Sequence, residues 1–195
     1  MILVKLKEAT RPQHEGLETV VNVMNSTFSL DDYKSLLTKF YRFYSSIEPR
    51  LPSVDLAAEG FELAPRLKTP RLEQDLAALS QLSIAKAVPE WAGVPDVSTI
   101  SRAWGSIYVM EGGTLGGQVI TRHLRDNLGI SPETGGAFFN SYGSDVGRMW
   151  KEFGAAIRAF AGRNPGSEDE IVEAAKETFD SFRLCFEQPL AAAGA

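Results

Sequence analysis

Residues 29–47 run SLDDYKSLLTKFYRFYSSI. Ser29 precedes Leu30, Asp31 and Asp32, the arrangement of a helix N-cap whose hydroxyl satisfies a first-turn N–H. Tyr33, Leu36, Leu37, Phe40, Tyr41, Tyr44 and Ile47 then recur at i, i+3, i+4 and i+7. That spacing lines them along one face of an amphipathic helix. Pro49 and Pro52 cannot continue the helix and mark its end.

The same pattern repeats outward from this block. A periodic run goes from Pro70 through Leu72, Leu76, Leu79 and Leu82 to Ala87, closed by Pro89, and WAGVPDVS after it reads as a loop. Ser98 opens a long block from Ile100, Trp104 and Ile107 to Leu124 and Leu128, ended by Gly129. A further helix carries Val146, Met149, Trp150, Phe153, Ile157 and Phe160 and stops at Gly162 and Pro165. Ser167, Glu168, Asp169 and Glu170 begin the last, which runs through Ile171, Val172, Ala175, Phe179 and Phe182; acids suit the positive end of a helix dipole. There is no two-residue alternation and no Asn-Gly or Asp-Gly hairpin. The expectation is an all-α chain in which residues 1–195 form one domain, with a disordered tail from about 189 to 195.

Composition bounds the function. The chain has 195 residues, 44% hydrophobic and 23% charged, which excludes a wholly disordered protein. A net charge of -5 argues against a dedicated nucleic-acid partner. The single cysteine, Cys185, forms no intrachain disulfide and no cysteine metal cluster, as in a reducing compartment. No apolar run approaches the roughly 20 residues that span a bilayer, so no membrane span is expected and the cytoplasm is the default location.

Inside the long block, YVMEGGTLGGQVITRHL (108–124) holds Gly112, Gly113, Gly116 and Gly117. Each glycine within a helix costs about 1 kcal/mol relative to alanine, so the string requires an offsetting use. Gly112 with Gly116, and Gly113 with Gly117, are i, i+4 pairs, which together make a stripe without side chains on one face. A backbone exposed in this way admits close approach of a flat or bulky object, and it equally admits a neighbouring helix or serves as a hinge.

The two histidines, His14 and His123, are too few for an Asp/Glu/His metal cage. The Glu-x-x-His pairs of di-iron bundles are absent, since position 11 is Arg and position 120 is Ile. One neutral imidazole nevertheless suffices to hold a haem iron from one side. In LKEATRPQHEGLE, Thr10 and Gln13 match a T-x-x-Q capping box with Pro12 in the first turn. If the helix begins earlier, with a kink at Pro12, then Lys7, Arg11 and His14 share a face. His14 also reads as a surface histidine paired with a nearby acid, and His123 as an exposed cation late in a helix.

Taken together, LKEATRPQH and YVMEGGTLGGQVI resemble the soluble bacterial branch of the haem oxygenase family, with FFNSYG, MWKEF and EAAKETF as weaker later landmarks. The resemblance implies a helical bundle of the haem oxygenase type. It also implies the oxidative opening of haem, at once cofactor and substrate, to biliverdin, carbon monoxide and ferrous iron. On this resemblance His14 is the proximal iron ligand. Gly112, Gly113, Gly116 and Gly117 form the distal wall that directs the chemistry, followed by Gln118. Lys7 and Arg11 fall near the haem propionates; Tyr142, Arg148 and Lys151 fall where the pocket closes; Phe179 falls by the haem edge. The animal enzymes carry an Asp where this chain has Gly113, and bacterial relatives also lack an acid there. The implied partners are an external reductase or ferredoxin and a bacteriophytochrome that receives biliverdin. The readings left beside it are a non-catalytic haem- or bilin-binding protein, a thiamin-degrading hydrolase or di-iron oxidase on a similar fold, and a helical interaction protein.

Overall fold

The computed structural model describes residues 1–25 and 27–190; residues 191–195, most of the tail expected to be disordered, lie outside them. Among the described residues there are helices and turns and no strand. The α-helices are α1 (Ile2–Ala9), α2 (Arg11–Val21), α3 (Leu30–Ile47), α4 (Thr69–Ala78), α5 (Leu82–Ala87), α6 (Ile100–Gly112), α7 (Gly117–Leu128), α8 (Ala137–Asn140), α9 (Val146–Arg163) and α10 (Ser167–Glu187).

Helix α3 forms as its sequence dictates. The Ser29 hydroxyl accepts from Asp32 N–H, and the Asp32 carboxylate accepts in return from Ser29 N–H, a complete capping box. Tyr33, Leu36, Leu37, Phe40, Tyr44 and Ile47 are buried, while Tyr41 is half-buried. Pro49 and Pro52 fall in a 3-10 turn, Glu48–Ser53, that ends the helix.

The long α10 organises the rest. Phe182 stacks on Phe43 with ring centroids 4.1 Å apart, joining α10 to α3. Helix α6 lies against another face. Ser106 and Thr178 share a hydroxyl hydrogen bond of 2.8 Å, and a Cβ on Gly105 would lie 2.4 Å from the Ile171 carbonyl, so only glycine permits that approach. Helix α2 takes the neighbouring face, with the His14 ring 5.9 Å from Phe179 and Gly16 beside Arg183. Adjacent residues of α10, Thr178 and Phe179, thus contact α6 and α2 respectively. Helix α9 packs on α1, where Gly154 sits beside Leu3, and on α6, where Trp150 packs on Tyr108.

Three segments differ from the sequence expectation. The run from 70 to 87 is two helices, parted at Leu79–Gln81 where Ser80 takes a left-handed φ of 57°. The block from 98 to 128 is also two helices, separated by Gly113–Gly116. Residues 132–145, with no periodic pattern, form an irregular turn, the short α8 and a 3-10 turn.

Candidate functional site

Thr10 does not cap α2 as the T-x-x-Q pattern suggests. Its hydroxyl donates to the Leu6 carbonyl at 2.8 Å, and no side-chain capping bond forms. Backbone bonds from Thr10 N–H to Leu6 and from His14 N–H to Thr10 carry the helical pattern across the junction. Helices α1 and α2 are therefore one helix kinked ahead of Pro12, the longer of the two readings. Lys7, Arg11 and His14, spaced four and three residues apart, are all exposed, and Lys7 and Arg11 meet no acidic partner among the described residues. The His14 side chain is 55% exposed. Its Nδ1 lies 3.7 Å from a Glu18 carboxylate oxygen, and its ring meets Phe179 edge-on. At that separation the carboxylate is a neighbour of the ring and not a hydrogen-bond partner. The reading of His14 as a surface histidine beside an acid names no partner; Glu18 stands at the i+4 spacing.

The glycines do not lie inside a continuous helix. They straddle a break whose turns are held by three-residue bonds, Thr114 N–H to Glu111, Leu115 N–H to Gly112 and Gly117 N–H to Thr114. Nor do they form one uniform stripe. A Cβ built on Gly112 or Gly116 would meet nothing within 4 Å, and one on Gly113 would meet only carbonyls of its own helix, at 3.8 and 3.9 Å. On Gly117 it would lie 2.1 Å from the Phe139 carbonyl oxygen. Gly117 lacks a side chain because α8 packs there, which corrects its place on the open wall. The open face is flanked by Leu115 (48% exposed) and Val119 (61% exposed).

Behind that face sits a buried polar cluster that periodicity did not reveal. Glu111, directly before Gly112, accepts from Arg66 at 2.6 Å, from Lys68 at 2.8 Å and from the Tyr142 hydroxyl at 2.7 Å. Lys68 also donates to the Tyr142 oxygen at 2.6 Å, and Arg66 to the Met149 carbonyl at 3.1 Å. Glu48 accepts the backbone N–H groups of Lys68 and Thr69. Burial pushes the Lys68 ammonium down and the Glu48 carboxyl up; burial and then the Glu111 charge push the Tyr142 phenol up. The one signal in sequence was an acid between Met110 and Gly112 on an otherwise apolar face.

The pocket-closing residues accordingly divide. The Tyr142 hydroxyl is committed inward to Glu111 and Lys68, a correction to its expected role toward propionates. Arg148 is held by Asp145 and Glu152, at 3.1 and 2.7 Å. Lys151 is exposed, one turn further along α9. His123 is half-buried with Nδ1 3.1 Å from the Asn127 amide and is not part of the group. Cys185 is buried, its thiol pushed up to about 11 by the loss of solvent, so it packs and does not react.

The sequence model of the family described as Heme oxygenase matches residues 1–188. The chain belongs to the haem oxygenase family. A curated heme oxygenase from Xanthomonas campestris pv. campestris (strain 8004) is 36% identical over 97 residues, 49% of this chain and 54% of that relative, so the match spans about half of its length. The fold is that of two solved haem oxygenases. The protein from Neisseria meningitidis, in NO- and CO-bound structures, superimposes with a TM-score of 0.76 at 21% identity, covering 98% of this chain and 95% of that one. Heme oxygenase 2 from Chlamydomonas reinhardtii, without heme, gives 0.75 at 18% identity, covering 98% and 99%. No helix among the described residues is long and apolar enough to cross a membrane.

Proposed function

We propose that this chain, as a single haem oxygenase-like domain, binds haem between α2 and the α6–α7 break. It opens the ring to biliverdin with release of carbon monoxide and ferrous iron, using dioxygen and an external electron donor. Two observations carry the reading: an exposed imidazole on α2 that meets Phe179 of α10, and a side-chain-free face at Gly112 and Gly116 beyond the end of α6, whose Ser106 bonds the adjacent Thr178.

The residues suit that substrate. The exposed His14 imidazole would be the ligand for iron, with the Glu18 carboxylate nearby. Lys7 and Arg11, exposed, four residues apart and without an acidic partner among the described residues, suit the two carboxylates of haem. Gly112 and Gly116 let backbone come close to a flat ring, and Gly113 brings no acid to that wall. When bound, haem supplies both the iron that activates dioxygen and the ring that is oxidised. As a ligand, the His14 imidazole would give the iron less electron push than a thiolate does. Among the described residues, Gly112, Gly113 and Gly116 bring backbone and no acid–base side chain to the wall, so backbone groups and solvent would be the hydrogen-bond partners there. A wall of this kind would leave the bound ring itself as the group open to oxidation.

The cytoplasm, a reductase or ferredoxin as donor, and a bacteriophytochrome as recipient of biliverdin complete the proposal; the lone buried cysteine and the absence of a spanning helix among the described residues are compatible with it. The test is the absorbance of the protein with hemin, before and after ascorbate is added in air. A shift toward the biliverdin spectrum is expected. A stable haem spectrum under those conditions would show a binding protein, and no uptake of hemin would dismiss both readings.

A further inference from the structure

The break between α6 and α7 leaves four residues joined by three-residue bonds, with no side chain on the open side at Gly112 or Gly116 to brace them. The bracing comes from the opposite side: Arg66 and Lys68 hold the Glu111 carboxylate at the end of α6, and one further segment reaches both sides of the break. The end of α6 is tied through the Glu111 carboxylate to the Tyr142 hydroxyl at 2.7 Å. The start of α7 is tied through Gln118, whose amide donates to the Asn140 carbonyl at 3.2 Å and the Gly143 carbonyl at 3.4 Å. Gly117 rests directly against the Phe139 carbonyl.

The segment is held stiffly. The Asp75 carboxylate accepts Ala137 N–H and Phe138 N–H, both at 2.8 Å. Ser141 takes φ 52°, ψ −112°, outside the regions open to a residue with a Cβ, and Gly143 has φ 56°. Such a conformation costs on the order of 1–3 kcal/mol and persists only when its surroundings over-determine it. Lys68 and Arg71 lie over the Tyr142 ring at 4.6 and 5.2 Å, so the ring is clamped as well as the hydroxyl.

We propose that Phe139–Gly143 is a splint across the broken helix, and that Tyr142 and Gln118 are positioning residues which set the angle of the break and thereby hold the bare wall at the spacing haem turnover requires. The proposal rests on the function proposed above for its consequence, but the splint itself is a property of the protein without haem. A freed break lets α7 swing relative to α6 without altering His14, Lys7 or Arg11. Binding then survives while turnover suffers, because an error near 1 Å in the placement of a reacting group costs up to about 100-fold in rate.

The experiment compares wild type, Tyr142→Phe, Gln118→Ala and the double variant. Amide hydrogen exchange of the protein without hemin is expected to quicken in both single variants at residues 113–120. Hemin affinity and KM should stay within about threefold of wild type, while kcat falls between about 10- and 100-fold and the product becomes a mixture of biliverdin isomers. The double variant should lose little more than the worse single variant, since both act through one element. Unchanged exchange in both single variants overturns the splint. Quickened exchange with wild-type kcat and isomer composition overturns the positioning role. If wild type itself makes no biliverdin, the proposed function fails while exchange alone still decides the splint.

Discussion

Replacing Gly112 and Gly117 by alanine adds the same methyl five residues apart, and the structure assigns the two changes opposite signs. At Gly112, the last residue of α6, the added Cβ meets nothing within 4 Å. Removing glycine's extra unfolded-state freedom should then stabilise the protein without haem by up to about 1 kcal/mol. For a chain of this size that raises Tm by roughly 2–4 °C. At Gly117 the Cβ lies 2.1 Å from the Phe139 carbonyl oxygen, so α7 and α8 must part by about 1.3 Å to reach the 3.4 Å of ordinary contact. Overpacking of that kind costs about 1–3 kcal/mol, which exceeds the helix-propensity gain and lowers Tm. Hemin titration supplies the second axis. The Gly112 methyl stands on the proposed wall, and a steric cost of about 1–3 kcal/mol corresponds to a roughly 5- to 150-fold weaker affinity. Thermal unfolding without hemin, followed by hemin titration, measures both. A Gly112→Ala protein that melts lower than wild type, or that takes up hemin with wild-type affinity, would refute the assignment of that face.

Two further outcomes follow from the scaffold. Ser29→Ala removes the hydroxyl that accepts Asp32 N–H at the start of α3, and urea unfolding should show a loss of about 0.5–2 kcal/mol with an unchanged m-value. Asp75 is pushed up to about 6 by burial, from 3.8, so the folded protein retains its proton over a range where the unfolded chain has lost it. Its contribution to stability is full below pH 3.8 and is lost as pH rises to about 6, by up to about 3 kcal/mol in all. Stability measured by urea unfolding between pH 4 and pH 7 should therefore fall less steeply with pH in Asp75→Asn than in wild type; identical slopes would contradict this.

The helical frame was legible because burial imprints a period on sequence. The Tyr33-to-Ile47 stripe and the Ile171-to-Phe182 stripe both emerged as helix faces packed into one core. Breaks were less legible, because periodicity persists across a short interruption. Leu79 and Leu82 kept the pattern of α4 going through a left-handed Ser80, and Ile107 and Leu124 did so across the glycines. At the candidate site, His14 and the glycines Gly112 and Gly116 were singled out by spacing and the family resemblance, and the exposure of the imidazole and the open space at those two glycines suit the proposed role. Gly117 was misplaced on the open wall because a bare backbone looks the same in sequence whether haem or a carbonyl of α8 fills the space. The Glu111, Arg66, Lys68 and Tyr142 cluster escaped notice because its members are 31 to 45 residues from Glu111 in the chain and meet only through tertiary packing.

The most direct test of the α2 imidazole as the iron ligand is the absorption spectrum of the ferric hemin complex in wild type and His14→Ala, each with and without free imidazole. A histidine-ligated spectrum in wild type, lost in the variant and restored by added imidazole, is the predicted result. A variant spectrum identical to wild type without imidazole would contradict it, because another group would then hold the iron.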